Sequence, residues 1–221
     1  DEDCSLNGVC GGGGIAGQCE CGASWYGANC QRLALKPIPQ SAPYGYGIAP
    51  NVTSWGGSIW PDGNGTYHLF VTEETDGVGL ASWISHSQII HAVASSPEGP
   101  YTRKNVVSPP PTTNPQILYD ASTKTFLLFH IRGAGSFGLY TSKSVDGPFN
   151  STELQFSGGC NNPTAAWHPN RSLYLMCHDS QFSLYGFHPG PGGTPGWMSK
   201  AAPAIPTLSV GHSARVPGNC E

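Results

Sequence analysis

An Asn-Pro step followed by a short apolar run occurs twice, as NPQILYD from Asn114 and NPTAAWH from Asn162, forty-eight residues apart. Sliding the chain by that interval without a gap lays His130 on His178 and the FGLY of Phe137–Tyr140 on the YGFH of Tyr185–His188. One period earlier, Gly99-Pro100-Tyr101 falls on Gly147-Pro148-Phe149. Self-similarity at such a period means a structural unit that cannot bury its faces alone and stacks on its neighbours. Each unit reads as an apolar run, a polar turn, a second apolar run (TFLLFHI, LYLMCH), a third strand and a Gly-Pro-aromatic turn, which describes a four-stranded antiparallel sheet.

A less regular first copy begins near Trp55, with GSIW, the turn PDGNG, the strand TYHLFVT and an insertion, EETDGVGLASWISHSQ. Thirty Gly and twenty Pro punctuate the chain too often for long helices, and no stretch reads as helical. The expected fold is therefore all-β: a β-propeller of four-stranded antiparallel blades, about 49–105, 106–155 and 156–205, with the start of a fourth reaching 221. Three blades do not close a ring, so the chain reads as part of a longer protein. Proline cannot donate to a strand ladder, so Asn-Pro is expected at the entry of each innermost strand. Strands alternate in direction, which puts the strand-one entries, the strand-two ends and the insertion on one face. The turn between strands one and two lies on the other.

Eight Cys, five of them before residue 31, imply an oxidising compartment. Four N-x-[ST] acceptors, Asn51, Asn64, Asn150 and Asn170, point the same way, to a secreted glycoprotein. The sequence opens DEDC with no apolar leader, so a signal peptide is expected to have been removed. Glycans on Asn64 and Asn170 would coat the face opposite Asn114, Asn162, His130 and His178. That leaves the latter face for function. A net charge of -4 with 11% charged residues provides no basic stripe for a phosphate backbone, which excludes nucleic acid as a partner. No apolar run is long enough to span a bilayer.

Residues 1–31 hold too little apolar bulk to fold by burial, so disulfides must hold them. Their C-x-C-x8-C tail and the NGVC before it resemble an EGF-like module. The resemblance implies bonds Cys4–Cys19 and Cys21–Cys30 and leaves Cys10 without that family's partner. Cys220 would pair with Cys10 or with something outside the chain. Cys160 and Cys177 flank one hairpin of the third unit and are suited to pair. Residues 32–48, with KPIPQSAPYGYG, read as a Pro-rich connection.

GTYHLFVTEE, HAVASSPEGPYTR, NPQILYDASTKTFLLFH and NNPTAAWHPNRSLYLMCHD, across about residues 45–205, resemble the five-bladed propeller glycoside hydrolases of families 43 and 32. The resemblance implies action on furanosides or pentosides by acids at blade entries, since glycoside hydrolysis needs two carboxylates facing across the bond. Here the entries read Trp55-Gly56-Gly57, Asn114-Pro115 and Asn162-Pro163, without an acid. Asn cannot ionise, although its amide still bonds a sugar hydroxyl. Glu221, read as the start of a fourth entry, and Glu73 are the candidate catalytic acids, with Glu74 and Asp179 on the same face. Trp55, Trp83, Asn114, His130, Asn162 and His178 are the candidate sugar-binding residues, the histidines also reading as braces for the inner strand.

His68, His86, His91, His130 and His178 form neither H-x3-H nor H-E-x-x-H, so no zinc site and no cofactor are expected. Calcium in the channel is compatible with the resemblance. No G-x-S-x-G elbow is present, which disfavours serine hydrolysis. Two functions follow: carbohydrate recognition with weak or absent hydrolysis, or a structural, adhesive subunit of an extracellular filament or matrix with other subunits as partners. An active furanosidase or pentosidase completed beyond residue 221 is third.

Overall fold

A computed structural model describes residues 3–11, 17–35, 44–47, 50–133, 136–152, 154–155, 160–167, 173–177, 183–188 and 196–200. They belong to two compact units, an amino-terminal one ending at residue 42 and a larger one spanning Pro43–Pro206. The amino-terminal unit pairs β1 (Gly8–Cys10) with β2 (Cys19–Cys21), and β3 (Trp25–Tyr26) with β4 (Arg32–Leu33). Disulfides Cys4–Cys19 and Cys21–Cys30 hold it, with Cys4 and Cys30 fully buried among half-buried and exposed side chains. Cys10 is also disulfide-bonded, and Cys220 lies outside the described residues.

The larger unit contains three sheets built alike. The first orders β5 (Thr53–Pro61), β6 (Tyr67–Glu74), β7 (Ser87–Ala94) and β8 (Thr102–Ser108) side by side, all antiparallel. The second does the same with β9 (Thr112–Asp120), β10 (Thr125–Arg132), β11 (Ser136–Ser142) and β12 (Asn150–Thr152). In the third, β13 (Leu154–Gln155) precedes β14 (Thr164–Trp167), β15 (Leu173–Cys177), β16 (Ser183–His188) and β17 (Gly196–Lys200). There the expected four strands gain a fifth, because β13 pairs in parallel with the outer edge of β17. An outer edge strand leaves a row of N–H and C=O groups open to such a partner.

The middle strands are apolar on both faces because both faces are covered. In β6, Leu69 and Val71 join one core with Ile90, Ala92 and Tyr101, while Phe70 faces the second sheet and packs with Ile89, Ile117 and Leu128. In β10 the alternation repeats: Leu128 joins that inter-sheet core, and Leu127 and Phe129 pack with Leu139, Leu173, Leu175 and the Cys160–Cys177 disulfide of the third sheet. Successive side chains on a strand point to opposite faces, so a strand between two sheets reads as a continuous apolar run. The core is thus layered between sheets.

The Gly-Pro-aromatic turns also repeat in detail. Gly99 and Gly147 take φ of 90° and 89°, each before a cis proline. Tyr101 then enters the first core, and Phe149 sets its ring edge-on to Phe70, centroids 5.4 Å apart. The insertion between β6 and β7 differs from the sequence expectation, since Leu80–Ser82 forms a 3-10 turn that runs into a four-residue helix, α1 (Trp83–His86). Gly77 and Gly79 precede it and no proline interrupts it.

Candidate functional site

The innermost strands of the first two sheets carry one extra residue at the same place. Trp55 pairs with Thr72 and Gly57 with Val71, which leaves Gly56 bulged; Gln116 pairs with Phe129 and Thr113 with Ile131, which leaves Asn114-Pro115 opposite His130 alone. The bulged residues are left-handed, with φ of 54° at Gly56 and 53° at Asn114, and Asn162 takes 46°. A residue with an ordinary Cβ is disfavoured there, whereas Gly and Asn are tolerated. The two Asn-Pro steps therefore differ: Asn162-Pro163 directly precedes β14, the strand entry that the sequence suggested, whereas Asn114-Pro115 lies inside β9. Asn114-Pro115 does not open its strand, because Thr112 and Thr113 precede it and pair with Arg132 and Ile131. It occupies a β-bulge, where Asn supplies the left-handed backbone and Pro follows in the interrupted ladder.

Three side chains from the two bulged segments and from the residues just before β14 meet one another. Trp55 Nε1 donates to Asn114 Oδ1 at 2.7 Å, and Asn114 Nδ2 donates to Asn162 Oδ1, so the innermost strands of all three sheets are bridged in sequence. Asn114 is itself fixed from below. Its backbone N–H donates to Thr72 Oγ1 at 2.9 Å, Thr72 Oγ1 lies 3.1 Å from Thr113 Oγ1, and Thr113 Oγ1 donates to Asn114 Oδ1 at 3.3 Å. At the far end of the same strands Trp167 Nε1 donates to the carbonyl of Tyr119 at 3.0 Å, another pair one period apart.

Above the Trp55–Asn114–Asn162 chain lies a cleft of about 440 Å³, lined by these three residues with Asn161 and with Leu80, Ala81 and Trp83 of the insertion. That volume falls in the range of roughly 300–1,000 Å³ typical of small-molecule sites. Trp55 is 42% exposed, with its indole N–H committed to Asn114 and much of its surface open. Among the described residues the lining is aromatic, aliphatic and amide, with no ionisable side chain. Leu80, Ala81 and Asn161 carried no signal in the sequence, since their place in the wall depends on how the insertion folds back.

Other sequence candidates lie elsewhere. Glu73 is absent from the cleft lining, and its carboxylate accepts from Tyr46 Oη, from Gln88 Nε2 at 3.0 Å and from Arg103 Nη2 at 3.3 Å. Burial and the Glu73 carboxylate together hold the Tyr46 phenol well above its ordinary value. His130 is buried against Tyr140, ring centroids 4.4 Å apart, directly beneath Gly138, where an added Cβ would fall 2.5 Å from its Cε1. Burial lowers its pKa to about 4. Asn51, Asn64 and Asn150 are exposed, Asn64 at the β5–β6 turn, at the other end of β5 from Trp55. His178, Asp179, Glu221 and Asn170 lie outside the described residues.

Glu74 has an environment the sequence did not disclose. It is 3% exposed, and neither carboxyl oxygen has a hydrogen-bond partner among the described residues. Burial raises its pKa, opposed in part by Ser87 and His86.

No protein-family model matches this sequence, and no curated protein matches it. Solved structures do resemble it. One is a family 117 glycoside hydrolase of the marine bacterium Zobellia galactanivorans, at TM-score 0.52 and 13% identity over 70% of this chain and 57% of that one. Another is the exo-beta-1,3-galactanase of Phanerochaete chrysosporium, at TM-score 0.50 and 13% identity over 61% of this chain and 35% of that one. The fold is that of propeller glycoside hydrolases. The three sheets are accordingly its blades, and the likeness at this identity concerns fold alone. The chain spans 57% of the first propeller's length and 35% of the second's.

Proposed function

We propose that this chain is a secreted, glycoside-hydrolase-like propeller that binds carbohydrate in the Trp55–Asn114–Asn162 cleft, with hydrolysis weak or absent. The observation that carries this reading is the amide-and-indole chain, which ties three blades together under a cleft lined without a carboxylate among the described residues. Aromatic faces suit the apolar faces of sugar rings, and amides donate to and accept from hydroxyls. An uncharged lining suits an uncharged sugar. Retaining and inverting hydrolysis both need a carboxylate pair roughly 5–10 Å apart across the bond, which neither Glu73 nor Glu74 supplies to this cleft. The EGF-like reading of residues 1–31, a five-bladed ring and glycans on the sequon asparagines belong to the same proposal, as does the extracellular location that the disulfides favour.

The test is a glycan array followed by titration of the best ligand. Asn162→Ala or Trp55→Ala should weaken binding tenfold or more, and a furanoside and pentoside panel should show little turnover. Turnover abolished by Glu221→Gln would replace recognition with catalysis. Absence of any glycan binding would remove the reading.

A second reading, a structural or adhesive extracellular subunit, is favoured by one observation: the amino-terminal unit exposes Leu6, Val9, Tyr26, Leu33 and Leu35. Exposed apolar side chains concentrated on so small a unit suit association. Multimers in native electron microscopy that dissociate in Leu6→Ser/Val9→Ser would support it.

A further inference from the structure

At the other end of the blades, His68 on β6 and His91 on β7 lie side by side, His68 Nδ1 2.9 Å from His91 Nε2 with their rings 10° from parallel. They are 4% and 1% exposed. One ligand atom from each, with a carboxylate oxygen of Asp146 from the second blade, fall within 4.8 Å of one another. Asp62 Oδ2 stands 4.0 Å from His68 Nε2, and the Asp62 carboxylate is held in place by the backbone N–H groups of Asn64 and Thr66 at 2.7 and 3.0 Å. His91 Nδ1 is buried without a hydrogen-bond partner among the described residues, with Asn105 opposite His91 across the strand pair.

We propose that His68, His91 and Asp146 form a zinc-class divalent metal site that ties the first blade to the second. It is independent of the cleft. A hydrogen bond between two imidazoles requires no carboxylate, yet two flank this pair from different directions. Nitrogen ligands at 2.0–2.1 Å around a four-coordinate zinc stand roughly 3.3 Å apart, so the existing 2.9 Å gap needs to open only slightly. Ligating His68 through Nδ1 leaves Nε2–H aimed at Asp62, the carboxylate–imidazole arrangement that orients metal-bound histidines.

On binding, the proton between the rings moves to the outer nitrogen of whichever ring carried it, so no net proton is released. At His91 that proton would sit on Nδ1, beside Asn105. Lys104 already holds Asp146 Oδ1 at 2.9 Å and competes for its charge. Asp146 is exposed and provides the entry path from solvent, and a water completes four-coordination. Sequence spacing conceals such a site, because its ligands come from two strands and a turn of two blades.

The experiment is titration of the full chain, stripped with a chelator, with zinc by calorimetry and with cobalt by visible absorption. One saturable site with the intense d–d bands of a four-coordinate ion is expected, together with a rise in Tm of roughly 5–10 °C at a hundredfold excess of zinc over Kd. Asp146→Asn, which alters an exposed side chain, should weaken zinc tenfold or more while leaving the metal-free Tm within a few degrees. His68→Gln and His91→Gln should abolish binding, and His86→Ala should leave it unchanged. Should either buried variant fail to fold, the Asp146→Asn titration and the zinc-induced shifts of the His68 and His91 ring signals in NMR still decide. Absence of saturable binding by the natural chain, or undiminished binding by Asp146→Asn with unshifted His68 and His91 signals, overturns the site.

Discussion

At Gly56 the missing Cβ matters twice. The residue is left-handed at φ 54°, and an added Cβ would stand 3.0 Å from Asn114 Oδ1, the atom that accepts from Trp55. Gly56→Ala should therefore cost about 1–2 kcal/mol in chemical denaturation and loosen the Trp55–Asn114 bridge. Asn114 and Asn162 were legible as equivalent positions because the repeat aligns them, and the structure joins them by a hydrogen bond. Glu73 and Glu74 were not separable in the sequence. Neighbouring residues on a strand face opposite ways, and this strand is apolar on both faces, so nothing in YHLFVTEE says which acid turns toward partners and which is buried without them.

Among the elements, the hairpins announced themselves through apolar runs broken by turn residues, and the fold class followed from their repetition. Their fine structure did not. The bulges at Gly56 and Asn114 arise from register between paired strands, and α1 forms in an insertion whose sequence carries no helical period. β13 extends the third sheet because β17 leaves an edge to pair with, a circumstance no local sequence encodes. The Cys160–Cys177 bond spans a separation of 17 residues at the entry of the third blade, inside the core it shares with the second. Replacing both by Ser should lower stability by about 3 kcal/mol, with the loss in that blade, measurable by hydrogen exchange of β14 and β15.

Across the whole molecule, two buried groups give stability opposite pH dependences. His130 has a folded pKa of about 4 against about 6.5 unfolded, so the unfolded chain binds the proton first and stability falls as pH drops from 6.5 toward 4. This contribution is on the order of 3 kcal/mol. Glu74 has the reverse sign. Its raised folded pKa means the folded chain holds a proton the unfolded chain has released, so stability declines as pH climbs above about 4.5 until the folded group ionises. Denaturant midpoints followed from pH 4 to 8 should show the acid limb flattened in His130→Phe and the upper decline removed in Glu74→Gln.

The sequence by itself determined the repeating hairpin, the all-β class, the crowding of cysteines at the amino terminus and the lack of acids at the first three blade entries, because each is written in local pattern and composition. Only the tertiary structure decided which polar groups meet. Trp55, Asn114 and Asn162 come from three blades, and His68, His91 and Asp146 from two, so their distances depend on how sheets stack. Stacking is set by side chains packed between the sheets, which a one-dimensional pattern marks as apolar but does not pair.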